Sequence, residues 1–472
     1  MNNLMIELLL ILYGCSIVGV LLIIVSENRN PLKSLPWVVV LLFAPVVGLI
    51  LYFFFGHNLS KRRAISRRMR KQVNASADEA ATTSHPAVEE SLRPLQRLLL
   101  GSGYALPLHH TDIEVYTSGA PKLEALCQAL ESARHHIHIQ YYIFEADRIG
   151  HRVREILMRK AREGVEVRLL YDNVGSRNAH RLFFDEMTEA GVEVSEFLHV
   201  NFPRFASKVN YRNHRKVVVV DGRIGFVGGM NIADRYLYGS KLGPWRDTHF
   251  RLTGGGVKGL QQLFLNDWQA STRIALPTDE RYLPHLEGNA DNTLQLLAAG
   301  PLGKWRTLLQ AYCQAIGRAN HRIWIQTPYY LPTESLNNAL QTAALAGVDV
   351  RLMLPERSDS RLVDLAAHSY LDDMLRAGVK VEFYMAGFLH SKLMIIDDSL
   401  TIFGSANLDF RSFEHNFEVS GFLYDAPFNA RMAAIYEADS AQCRQITPAD
   451  WFNRSRMSRL AESVMRLFSP LL

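Results

Sequence analysis

Two stretches 176 residues apart carry the same irregular pattern, and this repetition constrains the fold more than any other feature of the chain. HRKVVVVDG (214–222) and HSKLMIIDD (390–398) each open on histidine, place lysine two residues on, run through four apolar residues and close on aspartate. Side chains two apart in a strand share a face, so His214 points with Lys216 and His390 with Lys392. Each stretch reads as the first arm of a hairpin, with Asp221-Gly222 at the first turn. The returning arm ends in Gly228-Gly229-Met230-Asn231 or, at the same distance, Gly404-Ser405-Ala406-Asn407. Glycines and an asparagine are thereby delivered beside each His-Lys pair. Glycine lets backbone N–H groups approach an anion, asparagine adds a neutral donor, and lysine supplies a positive charge for phosphoryl oxygens.

The repeat is wider than the hairpins. ARHHIHIQYYIF (133–144) resembles ANHRIWIQTPYYLP (319–332), EGVEVRLLYD (163–172) resembles AGVDVRLMLP (346–355), and EAGVEVSEF (189–197) resembles RAGVKVEFY (376–384). The last two pairs read as a helix ending at glycine and followed by a short apolar strand. Strand and helix signals therefore alternate, which predicts α/β halves built on a mixed or largely parallel sheet. At 472 residues the chain exceeds one ordinary core. We expect two similar lobes, over 96–280 and 281–472, with one site at their interface. The first lobe carries about eleven extra residues, because Gly191 to His214 spans 23 positions and Gly378 to His390 only 12. The insertion falls around HVNFPRFASKVN (199–210), where Phe202 and Phe205 accompany Arg204 and Lys208, a mixture suited to a lipid–water interface or an ordinary surface loop.

Ahead of the lobes, LMIELLLILYGCSIVGVLLIIV (4–25) and PWVVVLLFAPVVGLILYFFF (36–55) reach spanning length, with a short polar stretch between them. A signal peptide is disfavoured, since no Lys or Arg precedes the first segment and no small-residue cleavage site follows it. A two-helix transmembrane hairpin over 1–60 is expected. The run KRRAISRRMRK (61–71) follows, seven of eleven residues basic and none acidic. It opens a juxtamembrane segment and polar linker over 61–95 and places the lobes on the cytoplasmic side of an inner membrane. Four widely spaced cysteines form no CxxC pair, which argues against a zinc ribbon or disulfide framework.

The paired HxKxxxxD stretches, each followed by G-[GS]-x-N, resemble the phospholipase D superfamily. One such triplet is a weak signal; five or more residues at matching offsets, twice, is a specific one. The resemblance implies one phosphodiester site with His214 and His390 on opposite sides of phosphorus. One ring attacks to form a phosphohistidine, while the other protonates the leaving alcohol and later activates the acceptor. It suggests His214 as nucleophile, although the residues alone leave the two roles open. Lys216, Lys392, Asn231, Asn407 and Ser405 would stabilise or surround the phosphoryl oxygens. An acidic residue orients the histidine in this superfamily. That role carries to Glu418, 28 residues after His390, and to Asp247, 33 residues after His214. Asp221 and Asp397 complete the triplets but sit at the far end of the strand, where they read as scaffold for the turn. The carboxylates are scattered and lysines accompany both histidines, so neither a metal nor another cofactor is expected, and no nucleotide-binding loop appears.

Two spans, a basic stretch and a bilobed HxKxxxxD region look like the bacterial cardiolipin synthases. NPLKSLPWVVVLLFAPVVGLILYFFFG, YRNHRK and the C-terminal RLFSPLL add to that likeness, which covers essentially the whole chain. It implies transfer of a phosphatidyl group between two phosphatidylglycerol molecules, giving cardiolipin and glycerol. A membrane-anchored phospholipase D using water, a nuclease, and a non-catalytic scaffold for anionic lipid are the competing readings. No nucleic-acid partner is expected, since the strongest basic run is juxtamembrane and the net charge is only +5. Self-association into a homo-oligomer is left open. In the C-terminal stretch 451–472, Leu460, Val464, Leu467 and Phe468 recur at helical spacing with Arg456, Arg459 and Arg466 between them. That helix suits either an anionic lipid surface or packing on its own domain.

Overall fold

The computed structural model describes residues 88–197, 211–303 and 305–469 continuously. Of the first 87 residues it describes the helix Pro31–Phe43 and scattered positions around it. Most of the first expected span, part of the second, the basic run, the linker as far as residue 87 and the insertion with Phe202, Arg204, Phe205 and Lys208 lie outside the described residues. Pro31–Phe43 begins inside the stretch read as a polar connector, with Pro31 at its first position, where a fixed φ favours helix entry. Among the described residues no helix is long and apolar enough to cross a membrane.

Two large sheets carry the repeat. The seven-stranded one runs Thr111–Tyr116, His249–Gly254, Ile224–Gly228, Val217–Val220, His136–Tyr141, Glu166–Asp172, Glu193–Phe197. The same order recurs in the other as Thr293–Ala299, Glu418–Tyr424, Leu400–Gly404, Leu393–Ile396, Arg322–Gln326, Asp349–Pro355, Lys380–Tyr384. Two edge strands, Pro107–His109 and Cys443–Ile446, extend that second sheet to nine. The edge strand Pro107–His109 thus falls within the stretch expected for the first lobe yet pairs with Thr293–Ala299. In both sheets the last three strands named are parallel and the motif hairpin joins them antiparallel, giving a mixed sheet.

The repeated glycines act as helix stops. Gly164, Gly191, Gly347 and Gly378 each follow a helix by two residues and have φ between 91° and 96°, which costs a residue without Cβ little. The valine run is apolar throughout because both of its faces are covered. Val218 and Val220 enter a core with the helices Gly119–Ser132, Arg148–Arg162 and Arg181–Glu189. Val217 and Val219 face the opposite way, into a core shared with Leu393, Ile395 and Phe403 of the second sheet. In that shared layer the rings of Phe250 and Phe403 are 4.2 Å apart.

Candidate active site

The turn aspartates fasten the hairpins to the neighbouring strands. Asp221 (φ 53°) accepts the backbone N–H groups of Arg134, His135 and His136 at 2.8–2.9 Å. Asp397 (φ 46°) accepts those of Asn320, His321 and Arg322 at 2.7–3.2 Å. These donors open the strands that run to the tyrosines of the site, so each aspartate aligns two elements at the end away from the histidine. Asp tolerates the left-handed conformation that the turn requires.

At the other end the lobes exchange backbone. The His214 N–H donates to Phe417 O (2.9 Å) and the Phe417 N–H to Arg212 O (2.8 Å). Symmetrically, His390 N–H donates to Arg246 O (2.7 Å) and Phe388 N–H to Pro244 O (2.8 Å). Each histidine therefore lies beside the residue that precedes the other lobe's acid. The pairs cross: His214 Nδ1 is 3.0 and 3.1 Å from the Glu418 carboxylate oxygens, and His390 Nδ1 is 2.6 Å from Asp247 Oδ2. The unequal sequence offsets are explained by register. Gly228 pairs with His249 and Gly404 with Ser420, so Asp247 and Glu418 occupy one position, two residues before each partner.

All of these groups are buried, with Asp247 and Glu418 fully so. Glu418 is held by the Ser405 hydroxyl, by Ser412 Oγ (3.0 Å) and by Asn416 Nδ2 (3.2 Å). Burial pushes its carboxyl up, but His214, Lys216 and the Ser405 hydroxyl outweigh it, leaving it below the usual carboxylate range. Asp247 is likewise held low, burial being overcome by Lys392 and His390. Burial lowers His214 against the pull of Glu418, and lowers His390 to about 4 with help from the Lys392 charge. Both rings are therefore neutral at pH 7 and donate Nδ1–H to an ionised carboxylate, which leaves the Nε2 lone pair available.

The lysines differ. Lys216 Nζ donates to the backbone carbonyl of its own histidine at 2.6 Å, whereas Lys392 Nζ also lies 2.9 Å from His390 Nδ1. Burial brings Lys216 down to about 7 and Lys392 to about 8, opposed by Glu418 and Asp247. Lys216 depresses His390 and Lys392 depresses His214, so the two motifs share one electrostatic environment. Asn231 donates to Tyr236 OH (2.6 Å) and Asn407 to Asp409 (3.1 Å), leaving each amide one further N–H.

Tyr142 lies in a repeated stretch whose glutamine and tyrosines read as a strand entering a site, whereas Trp245, Arg215 and Arg246 carried no recognisable sequence signal. The Tyr142 ring lies edge-on to His214 at 4.9 Å and under Lys216 Nζ at 5.3 Å, and Trp245 lies 5.3 Å from His390. Arg215, between the first motif's histidine and lysine, is buried, pairs with Asp267 and donates to Glu418 O at 3.0 Å. Arg246 forms a two-pronged pair with Asp439 at 3.0 and 2.6 Å, tying the lobes together beside Asp247.

A duplicated mixed sheet with crossed His–carboxylate pairs at one interface places the chain among the phospholipase D-like proteins. A family profile described as "Cardiolipin synthase, PLD-like domain" matches residues 126–241 and 312–440, and one described as "Phospholipase_D-nuclease N-terminal" matches 15–57. Relatives include "Cardiolipin synthase" of Geobacillus sp. (strain WCH70), 40% identical over 98% of this chain and 93% of its own length. "Major cardiolipin synthase ClsA" of Bacillus subtilis (strain 168) is 36% identical over 98% of this chain and 99% of its own. Phosphatidylserine synthase of Haemophilus influenzae shares the fold, with TM-score 0.61, 14% identity, and coverage of 80% of this chain and 98% of that structure. The chain belongs to the bacterial cardiolipin synthase family of the phospholipase D superfamily.

Proposed function

We propose that this enzyme is a membrane-bound phosphatidyltransferase that converts two phosphatidylglycerol molecules into cardiolipin and glycerol. The observation that carries the reading is the pair of buried imidazoles, each with Nδ1 occupied by a carboxylate and Nε2 free, among two lysines. His214 Nε2 attacks phosphorus, forming P–N as the P–O bond to glycerol breaks, and His390 gives its proton to the departing oxygen. The anionic phosphate raises both imidazole pKa values on binding, which supplies the protonated form that the acid step needs. His390 then accepts a proton from the terminal hydroxyl of a second phosphatidylglycerol, whose oxygen attacks phosphorus and releases His214. Lys216, Lys392, Asn231 and Asn407 stabilise the oxygens of the five-coordinate state. One contact favours the opposite order of roles: Lys392 beside His390 Nδ1 resists protonation of that ring, as suits a nucleophile.

The bilayer is the source of both substrates. The apolar segments 4–25 and 36–55 and the basic run after them support a two-span anchor with the lobes on the cytoplasmic side. The test is purified full-length protein with phosphatidylglycerol vesicles, without nucleotide or divalent metal, followed by mass spectrometry of lipids and glycerol. Equal amounts of cardiolipin and glycerol, absent with His214→Ala, are expected. Phosphatidic acid without cardiolipin would instead make water the acceptor.

A further inference from the structure

The last helix, Arg456–Arg466, is oriented against the usual rule that a surface helix turns its apolar stripe inward. Its protein-facing side is polar. Glu462 is buried and paired with Arg454 at 2.5 Å, and Ser458 donates to it at 3.2 Å. Arg459 lies 3.6 Å from Asp372 and Arg466 3.8 Å from Asp373, both on the helix Arg361–Arg376. Met465 packs on the core. The other large apolar residues face outward: Met457 is 75% exposed, Leu460 58%, Val464 46%, and beyond the helix end Leu467 78% and Phe468 47%. Spacings of three, four and three residues from Met457 to Leu467 place them on one stripe.

Such a stripe in water is unfavourable unless something covers it. The charge around it selects the cover. Arg456 borders the stripe, Arg459 and Arg466 offset the charges of Asp372 and Asp373 on the neighbouring helix, and the helix's one acid, Glu462, is buried. A second copy of the helix would bring Arg456 near its own duplicate, whereas an anionic plane complements the stripe and the arginine that borders it. We propose that this helix lies in the headgroup layer of an anionic bilayer. Met457, Leu460, Val464 and Leu467 enter the acyl boundary, and Arg456 meets lipid phosphates. The inference rests on the lipid-substrate reading above.

The test uses the full chain reconstituted in vesicles. In Leu467→Trp, the emission added over the wild type should be quenched by brominated acyl chains in phosphatidylglycerol vesicles and much less in phosphatidylcholine vesicles. In Leu460→Glu/Val464→Glu, the surface fraction of phosphatidylglycerol needed for half-maximal transfer should rise about ten-fold. Turnover of a short-chain, monomeric phosphatidylglycerol should stay at the wild-type value. Absent quenching together with an unchanged double variant overturns the docking while leaving phosphatidyl transfer intact. A double variant that dissociates an oligomer without altering the quenching assigns the stripe to a second copy and also overturns it. No transfer by the wild type on either substrate form overturns the enzymatic reading, and quenching then decides the docking alone.

Discussion

Gly229→Ala should disable the site through one methyl group. A Cβ at this position would lie 2.1 Å from Asp247 Oδ1 and 2.7 Å from its carboxyl carbon and other oxygen. A comfortable carbon–oxygen contact is about 3.3 Å or more, so the carboxylate must retreat by roughly 1 Å. Backbone movement offers little relief, since Gly229 N–H is bonded to Thr248 O at 3.0 Å and Thr248 N–H to Asp247 Oδ1 at 2.7 Å. Moving Asp247 lengthens its 2.6 Å contact with His390 Nδ1 beyond hydrogen-bonding range. A hydrogen bond to a charged group contributes about 1.5–3 kcal/mol, which corresponds to roughly a ten- to hundred-fold fall in kcat. KM should change little, because the methyl reaches the acid rather than the lysines. The assay is cardiolipin formation by mass spectrometry, with thermal unfolding checking that the variant folds. Ser405→Ala is the contrast. That position in the other lobe already holds a Cβ, and Ser412 and Asn416 continue to hold Glu418 when the hydroxyl is lost. Its loss should stay under about ten-fold. A Gly229→Ala enzyme within about two-fold of wild type would refute the claim that Asp247 positions His390.

Other outcomes follow from the same geometry. Lys216 and Lys392, brought down to about 7 and about 8, are charged below those values and lose charge as pH rises, so kcat/KM should decline from about pH 7 and more steeply above about pH 8. The decline in kcat should sit at higher pH, because bound phosphate holds the ammonium forms; a profile flat to about pH 9.5 would contradict this. Arg246→Met strands the buried Asp439 carboxylate and should cost about 3–5 kcal/mol in denaturant unfolding, with a neutral result removing the proposed tie between lobes. Asp397→Ala releases three backbone donors and should destabilise by about 1–3 kcal/mol while folded protein keeps its turnover; His214→Ala and His390→Ala should fold normally and give no cardiolipin. Trapping the intermediate and mapping it to His214 or His390 by peptide mass spectrometry decides the order of roles that Lys392 puts in question.

The sheet architecture was legible because both hairpins announce themselves locally. Alternation, turn residues and helix-stopping glycines act over a few positions, and the repeat doubles each signal. What stayed hidden depends on contacts between residues far apart in the chain. Arg215 looks like a residue on the wrong face of a strand until Asp267 and the Glu418 carbonyl appear beside it. Asn231 and Asn407 read from the sequence as candidate donors to phosphate, while their bonds to Tyr236 and Asp409, which fix the amides, carried no signal.

The crossing of the acids is the deepest case. Glu418 lies downstream of the second motif and Asp247 downstream of the first, and nothing in either spacing says that each serves the histidine of the other lobe. The exchange follows from the strands: the backbone before each histidine pairs with the backbone before the opposite acid, so each half-site is completed only when the lobes meet. A lobe by itself would hold a His-Lys pair with no carboxylate to fix the ring tautomer, and a carboxylate with no imidazole to keep it ionised. Burial would then raise the pKa of the lone acid and leave the histidine free to rotate. Chemistry on phosphorus is thereby coupled to assembly of the shared core, where Val217, Val219, Phe250 and Phe403 pack. Substitutions that loosen this core should reduce kcat before they unfold the chain, because a small shift between lobes moves both acids away from both histidines at once.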